Sequence, residues 1–267
     1  MASAGFAFTQ RIPEGEIKNL RKHLFRREQS TRLSYNGPQE AGTEIYNENV
    51  ISIVIPCFNE AQGLRRVIPR LPRWIDQILV VDNGSTDGTG AVARQLGAQV
   101  VHEPNRGYGQ ACLAGFRQCR GDIIGILDGD DSYPAEGVGP LVERVADERL
   151  DVLFCSRFPL RNSPAMPRIR RLGNRLSNGL VKSLRRYPWR DIHSGMWFFR
   201  RPLLPLTEGL GKGMGLSLGF KLRAARRPGL RITECWIPYR PRLGQAKFRP
   251  FKDSWEMFLV MVNPLAR

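Results

Sequence analysis

The chain has 267 residues, of which 42% are hydrophobic, so it can bury the core of one large α/β domain or two small ones. Its 41 Lys and Arg residues against 25 Asp and Glu residues give a formal net charge of +16, which favours nucleic acid, anionic lipid or phosphorylated ligands as partners. Three histidines and five cysteines without a CxxC pair argue against a zinc site and a disulfide framework, and favour reduced thiols in the cytosol.

The amino-terminal 49 residues are polar, charged and rich in turn formers, and we interpret residues 1–49 as an appendage. Within them, the segment EIKNLRKHLFRRE at 16–28 has apolar residues at helical spacing, which predicts one basic helix. No cationic segment followed by a long apolar stretch opens the chain, so a secretory signal is not expected. No apolar run approaches the roughly 20 residues that span a bilayer.

From residue 51, short β-branched runs alternate with helical stretches. The runs are ISIVI at 51–55, QILVVD at 77–82, AQVVH at 98–102 and DIIGILD at 122–128. Helices are predicted near 61–72, 88–96 and 108–119. This alternation predicts an α/β fold with a mostly parallel sheet covered by helices on both faces.

The segments that directly follow these four strands are polar, acidic or glycine-rich. They are PCFNE, DNGSTDGT, EPNRGYGQA and DGDD. Ligands of such sheets bind at the carboxyl ends of the strands, so the four segments predict one ligand-binding rim.

Asp128 and Asp130 are two residues apart, so on an extended strand exit their side chains point the same way, and Gly129 between them lets a ligand approach. Mg²⁺ usually takes one or two carboxylates together with phosphate oxygens. The pair therefore predicts a Mg²⁺ or Mn²⁺ site shared with a nucleotide diphosphate. The alternative is an ordinary acidic turn, because D-x-D alone is a weak pattern.

The second rim segment places Asp82 at a strand end and Asp87 in the following turn, where Gly84 and Gly88 supply the tight backbone. A carboxylate here can accept a hydrogen bond from a base imide or a ribose hydroxyl. The alternative is an Asx turn with a helix cap. Because the segment is neither GxGxxG nor Walker A, a nicotinamide site or a P-loop is not predicted.

Together, the four segments resemble the inverting family 2 glycosyltransferases of the GT-A fold, which use nucleotide-activated sugars. VIPCFNE, VVDNGSTDGT, NRGYGQA and LDGDDSYPAE resemble the family motifs P-x-Y/F-N-E, D-D/N-G-S-T-D-x-T, N-x-G-x-G-x-A and D-x-D followed by P-x-E. The resemblance implies a hexosyltransferase whose metal ligands are Asp128 and Asp130, and Asp130 counts as catalytic through that cation. The nucleotide-binding residues it implies are Pro56, Phe58, Glu60, Asp82, Gly84, Asp87, Arg106, Gly107 and Asp128.

The second half of the chain extends the resemblance. DIHSGMWFFRR at 191–201 resembles the family's D-x-x-S-G-F-R-x-F-R-R. IPYRPRLGQAKFR at 237–249 resembles the R-x-G-x-S-K-F loop of the branch that includes dolichyl-phosphate mannose synthases and bacterial polyprenyl-phosphate glycosyltransferases. The implied contacts to acceptor or diphosphate are Ser194, Gly195, Arg240, Arg242 and Lys247. The alternative for the cations of this loop is a solvated basic surface.

Asp191 is expected to act as a base or to orient the acceptor; the alternatives are a helix cap or a partner for Arg190. Two departures from the family pattern concern the same side of the site. Ala246 stands where the loop usually has Ser, and Gly215 and Gly219 lie in a helix where relatives often carry an acidic residue. These departures keep open the interpretation of a catalytically weak scaffold module.

Residues 168–186 have apolar side chains at helical spacing, seven Arg or Lys residues and no acidic residue. The apolar positions are Ile169, Leu172, Leu176, Leu180 and Leu184. The pattern predicts either a helix lying on an anionic membrane or a core-packing helix with a solvated cationic face. The segment FKDSWEMFLVMV at 251–262, with Trp255 and Phe258 as anchors, predicts a second interfacial helix.

These features predict an appendage at 1–49, a GT-A domain at 50–255 and an amphipathic tail at 256–267. The expected enzyme is peripheral at the inner face of the membrane, alone or with a membrane protein partner, and moves a hexose from UDP or GDP to a polyprenyl (dolichyl or undecaprenyl) phosphate. Such a phosphate, with a second pKa of about 6, needs little or no general base. A saccharide or small hydroxyl acceptor is the alternative, and nucleic-acid binding lacks a supporting motif.

Overall fold

The computed structural model describes residues 49–160, 165–185, 189–245 and 250–262. The predicted helix at 16–28, and the loop residues Ala246 and Lys247, lie outside these ranges. Residues Val50–Arg267 group into one compact unit, and the predicted boundary between 255 and 256 falls inside its last helix. The three predicted domain ranges stay predictions.

In the described part of the chain, a seven-stranded sheet runs in the order β3-β2-β1-β4-β6-β5-β7. Its strands are β1 (Ile51–Cys57), β2 (Gln77–Asp82), β3 (Gln99–His102), β4 (Ile123–Ile126), β5 (Val152–Ser156), β6 (Trp197–Arg200) and β7 (Ile232–Trp236). Strand β6 is antiparallel to both of its neighbours, and the other strand pairs are parallel. The predicted mostly parallel α/β sheet is confirmed, and the sequence did not anticipate β6.

Helices flank the sheet. They are α1 (Ala61–Val67), α2 (Thr89–Gln95), α3 (Tyr108–Gln118), α4 (Val138–Asp147), α5 (Arg168–Arg185), α6 (Gly215–Ala225) and α7 (Pro250–Val262). The three helices predicted between the first four strands form where expected. The first predicted helix, at 61–72, forms as α1 followed by a 3₁₀ turn at Ile68–Arg70. Pro69 lacks the amide N–H that would continue the α-helical hydrogen bonds.

Strand β1 is buried on both faces, which explains its uninterrupted apolar sequence. Ile53 and Ile55 lie in the cluster that includes α1, α2 and α4, whereas Val54 lies in the cluster that includes α3 and α6. Successive side chains of a strand point to opposite faces, so one short run joins both helical layers.

Aromatic side chains attach α6 to the inserted strand β6. The ring centroid of Trp197 lies 5.1 Å from Phe199 and 4.6 Å from Phe220 of α6. Such pairs stabilise by about 0.5–1.5 kcal/mol each beyond the burial of their surface. The α6 helix is thereby fixed against the sheet, next to the segment that follows Asp191.

Candidate active site

The loops after β1 and β2 are joined by hydrogen bonds. The backbone N–H of Asn59 donates to Ser85 Oγ (3.0 Å), and that of Glu60 donates to Thr89 Oγ1 (2.9 Å). Two of the predicted rim segments therefore lie side by side, at the carboxyl ends of their strands. Pro56 lies inside β1, which extends to Cys57, two residues beyond the predicted run at 51–55.

The two aspartates of the second segment hold the backbone of this rim. Asp82 Oδ1 accepts a hydrogen bond from the Ser85 N–H (2.9 Å), and Asp87 accepts from the N–H groups of Ala61 and Thr89 (both 3.0 Å). Partial burial raises the pKa of Asp87, but the hydrogen bonds from Thr89 and the backbone bring it below its ordinary value. Asp87 thus forms a turn to the first residue of α2, whose N-cap position is Gly88, and its place beside the nucleotide stays a prediction.

Four residues predicted to bind nucleotide lie close together. The Arg106 guanidinium carbon is 4.0 Å from the centre of the Phe58 ring, and Arg106 Nη2 donates to the Gly84 carbonyl (3.3 Å). The Gly107 N–H donates to Asn83 Oδ1 (2.8 Å). Asn83 is a residue that sequence reasoning did not assign, and its side chain fastens this loop to the end of β2.

Asp128 and Asp130 lie together where β4 ends, as predicted. Asp130 Oδ1 accepts hydrogen bonds from the backbone N–H (3.0 Å) and hydroxyl (2.5 Å) of Ser132. In the described part of the chain, neither oxygen of Asp128 accepts a hydrogen bond. Burial and the neighbouring Asp130 raise the pKa of Asp128 to about 7, although Arg242 and Arg157 oppose this. The crowded carboxylates need a cation.

Arg242 supplies positive charge to this acidic pair. Its Nη2 is 3.0 Å from Asp130 Oδ2 and 3.4 Å from Glu60 Oε1, and the next residue, Leu243, donates its N–H to the Asp130 carbonyl (2.8 Å). Arg240, two residues earlier, forms an ion pair with Glu136. The basic loop therefore lies across the acidic segment and is not merely solvated.

The donor set also fits a divalent cation that shares its ligands with a bound anion. Within the described ranges, no cluster of three His, Cys, Asp or Glu side chains could hold a metal by itself. Asp128 and Asp130 provide two carboxylates, and Mg²⁺ takes one or two carboxylates where phosphate oxygens complete its shell. Among the described residues, the buried Nε of Arg242 has no hydrogen-bond partner and keeps a donor for such an anion.

Asp191 is buried in an ion pair with Arg157 on the other side of the site. The carboxylate accepts from the Arg157 backbone N–H (2.9 Å), Nε (2.7 Å) and Nη2 (2.9 Å). Burial raises the pKa of Asp191, but the Arg157 guanidinium holds it below its ordinary value. The alternative prediction that Asp191 pairs with Arg190 was wrong, because its partner is Arg157. An ionised and fully engaged carboxylate suits the orienting role better than that of a base.

Lys221 of α6 holds the segment that follows Asp191. Its side chain is fully buried, and Nζ donates to the carbonyls of Ile192 (3.2 Å) and Ser194 (2.8 Å). Burial lowers the pKa of Lys221 to about 8. Sequence reasoning missed both Lys221 and Arg157. A lysine among the apolar residues of a helix, and an arginine directly after an apolar strand, were available signals.

Gly195 joins this segment to the acidic pair. Its N–H donates to Tyr133 Oη (2.7 Å), and a Cβ at this position would lie 2.7 Å from Asp128 Oδ2, so only glycine permits this approach. Ser194 is fully buried, with Oγ 3.4 Å from the Met196 backbone nitrogen. Of the predicted acceptor-side residues, Gly195 and Arg242 thus lie at the acidic pair, Ser194 directly precedes Gly195, and Arg240 is paired with Glu136. Lys247 lies outside the described residues.

Comparisons with known proteins agree with this geometry. The sequence model of a family described as Glycosyl transferase family 2 matches residues 52–205. An uncharacterized glycosyltransferase of Mycobacterium bovis is 34% identical over 196 residues, which are 73% of this chain and 88% of that protein. A dolichyl-phosphate hexose transferase of Haloferax volcanii is 32% identical over 209 residues, 77% of this chain and 90% of that protein.

A solved structure is similar in fold. It is glucosyl-3-phosphoglycerate synthase from Mycobacterium tuberculosis in complex with Mn²⁺, UDP-glucose and phosphoglyceric acid. The TM-score is 0.68 and the identity 23%, over 81% of this chain and 79% of that one. The fold expected from the rim motifs is confirmed by this likeness.

Proposed function

The chain belongs to glycosyl transferase family 2, and from this premise we propose that it transfers a hexose from a UDP- or GDP-sugar to a polyprenyl phosphate at the inner face of a membrane. The donor half of the proposal is supported by the rim. The acceptor half is supported by one observation: four apolar side chains of α5 form an exposed stripe, while the opposite side of the helix contacts the acceptor segment. The relative from Haloferax volcanii, by its name a dolichyl-phosphate hexose transferase, is consistent with this acceptor.

On the donor side, Phe58 and Arg106 present a flat face suited to the nucleoside, and Arg242 has donors suited to the diphosphate. Asp128 and Asp130 would hold Mg²⁺ or Mn²⁺. When bound, that cation would stabilise the negative charge that develops on the departing diphosphate. The raised pKa of Asp128 is the physical sign that this position favours an added positive charge.

On the acceptor side, an ionised phosphate needs orientation more than it needs a base, because its second pKa is about 6. The buried pair of Arg157 and Asp191, with Lys221 behind it, keeps the segment from Asp191 to Gly195 in one position against Asp128. We therefore assign Asp191 to positioning and leave the attack on the anomeric carbon to the acceptor's own charge.

The exposed face of α5 carries the acceptor proposal. Ile169 is 78% exposed, Leu172 53%, Leu176 67% and Leu180 39%. The opposite face holds the domain: Asn178 Nδ2 donates to the Arg190 carbonyl (2.6 Å), and its Oδ1 accepts from the Ile192 N–H (3.2 Å). Four of the five predicted apolar positions therefore face outward, whereas Val181 packs inward; the side chain of Leu184 lies outside the described residues. Exposed Arg168, Arg175 and Lys182 beside the apolar stripe suit an anionic membrane surface.

Helix α7 adds a second apolar surface. Trp255, Phe258 and Leu259 are 62%, 41% and 50% exposed, whereas Met261 is buried in one cluster with Val181 of α5. The two helices thus share an inner cluster and each present apolar side chains outward. Among the described residues, no helix is long and apolar enough to cross a membrane. Peripheral binding to lipid, or to a membrane protein partner, would cover these apolar surfaces.

The test is transfer of label from a panel of radiolabelled UDP- and GDP-hexoses to polyprenyl phosphate, in the presence of Mg²⁺ or Mn²⁺. We expect label in the organic phase, and none with Asp130→Ala. Parallel reactions with free sugars and small phosphorylated acceptors separate the alternatives. Efficient labelling of a water-soluble acceptor, with none of the lipid phosphate, would refute the proposed acceptor and leave the donor site standing.

A further inference from the structure

Glu256 reaches from α7 to the glycine-rich segment before α6. Its Oε1 accepts hydrogen bonds from the N–H groups of Gly213 (3.1 Å) and Gly215 (3.2 Å). A Cβ at Gly211 would lie 2.7 Å from Oε1 and one at Gly215 3.1 Å from it, while a Cβ at Gly213 would overlap Oε2. All three glycines leave room for this single carboxylate, which comes from a helix more than 40 residues away.

The other side of the same segment contacts the first turn of α3. The Lys212 carbonyl accepts from the Gln110 N–H (2.8 Å), and the Gly213 carbonyl accepts from the Gly109 N–H (3.0 Å). The first N–H groups of a helix have no partner inside the helix, so these two hydrogen bonds fix where α3 begins. The segment at 211–215 is therefore held between Glu256 and the start of α3.

The start of α3 adjoins the proposed nucleotide site. Arg106, stacked on Phe58, and Gly107, bound to Asn83, directly precede the first turn. A Cβ at Gly107 would lie 2.5 Å from the Lys212 carbonyl oxygen, so the loop and the segment are in close contact. Because no space separates the segment at 211–215 from this loop, a shift of the segment must also move Arg106 and Gly107.

We propose that Glu256 is a positioning residue for the donor site. Its carboxylate receives two N–H groups, a charge-assisted arrangement that fixes the segment at 211–215. That segment in turn fixes the start of α3, and with it the two residues that would meet the nucleotide. The inference rests on the proposed donor site and adds to it a residue that lies outside every family motif found in the sequence.

The direct test is nucleotide affinity, measured by calorimetry on the full chain with UDP and with GDP in the presence of Mn²⁺. We expect Glu256→Gln, which keeps the size but loses the charge, to weaken nucleotide binding about tenfold. The circular dichroism and the unfolding temperature should stay close to wild type. Ser254→Ala, an exposed change on the same helix, is the matched control and should bind nucleotide normally.

A double-mutant cycle makes the test independent of a general loss of stability. Gly213→Ala places a methyl group against the Glu256 carboxylate and should weaken nucleotide binding strongly. In the Glu256→Ala background the same change should add little, since the colliding group is gone. Additive effects of the two changes would contradict the proposal.

Two failures are distinguishable. If the wild type binds neither UDP nor GDP, the proposed function fails, and this inference fails with it. If the wild type binds a nucleotide and both Glu256→Gln and Glu256→Ala bind it equally well, the donor site stands and Glu256 has no part in it. A fall in unfolding temperature alone, with unchanged affinity, also rejects a positioning role.

Discussion

The donor half and the acceptor half of the site are held together by contacts of different range. In the donor half, Asp82 bonds to a residue three positions away, and Asp87 and Asp130 bond to residues two positions away. In the acceptor half, Arg157 and Asp191 are 34 positions apart, and Lys221 and Ser194 are 27 positions apart. Each of these donor-side carboxylates is thus held by a local turn, while longer contacts such as Asn59 to Ser85 and Arg242 to Asp130 join the donor loops; in the acceptor half the carboxylate itself depends on tertiary packing.

The two halves also differ in how the charge of their carboxylates is balanced. The donor half leaves Asp128 beside Asp130 with a raised pKa, a state that a bound cation would relieve. The acceptor half matches its buried Asp191 with a buried arginine. Changes in the donor half should therefore reduce activity and spare the fold, and changes in the acceptor half should reduce stability first.

The largest effect is expected for Asp130→Ala. Loss of electrostatic stabilisation of a leaving group costs about 10²–10³-fold or more in rate. The change relieves repulsion with Asp128 but also removes the ion pair with Arg242 and the hydrogen bonds from Ser132, so the unfolding temperature should fall less than it does for Arg157→Met. Initial rates of label transfer and a thermal melt check both expectations, with the exposed Asp147→Asn as control. Transfer within a few-fold of wild type would remove the proposed role of the acidic pair.

Arg157→Met should lower the free energy of unfolding by about 3–5 kcal/mol, because it leaves Asp191 charged and buried without a partner. Urea denaturation measures the loss. In the double variant Arg157→Met with Asp191→Leu, part of the stability should return, since no uncompensated charge remains. If the single variant is as stable as wild type, the contrast between the two halves is wrong.

Lys221 predicts a pH dependence of stability. Burial lowers its pKa from 10.5 to about 8, so between these values the unfolded chain binds the proton that the folded protein has released. The free energy of unfolding should therefore rise with pH in this window, by at most about 1.4 kcal/mol per pH unit. Below pH 8 the lysine adds no slope.

Lys221→Met should lack this contribution, and denaturant titrations from pH 7 to 10.5 compare the two slopes. Asp191, Glu234 and Cys155 favour the charged ammonium of Lys221 and raise its pKa. Arg157 disfavours the ammonium and lowers the pKa. These groups are present in both proteins, so the difference in slope isolates the lysine. Equal slopes would mean that the lysine is not desolvated in solution.

The smallest effect on the isolated protein is expected for Leu172→Ser with Leu176→Ser. Both side chains already face water, so the free energy of unfolding should change by less than about 0.5 kcal/mol. Sedimentation with anionic vesicles should fall by about tenfold, since two leucine side chains no longer enter the lipid. Ser183→Ala on the same helix is the control. Unchanged vesicle binding would leave α5 without its proposed role.

The sequence predicted that the loops of the proposed donor half lie at one rim, and the structure brings these loops together. Four strand ends with short motifs located Asp128, Asp130 and the loop of Arg106, because local turn chemistry leaves its mark within a few residues. The partner of Asp191 was predicted wrongly, since Arg157 and Arg190 are equally plausible cations until the chain is folded. Glu256 carried no signal at all, because its partners are backbone N–H groups.

Helix α5 shows a second limit of sequence reasoning. Its apolar period was correctly predicted, but an apolar stripe among basic residues is compatible with packing inward or facing outward. The decision came from Asn178, whose amide bonds to Arg190 and Ile192, the two neighbours of Asp191, so that the leucines on the opposite side of the helix face away. Strand β6 was missed for a related reason, since an antiparallel insertion depends on pairing with distant β4 and β5.

The outward leucines of α5 have a practical consequence for anyone who handles this molecule. Without detergent or lipid, two copies can bury these stripes against each other, so self-association in a plain buffer should reflect the uncovered surface that we propose binds lipid, and not an active oligomer. This self-association should disappear in micelles of a mild detergent, and an assay without micelles would underestimate the transfer activity.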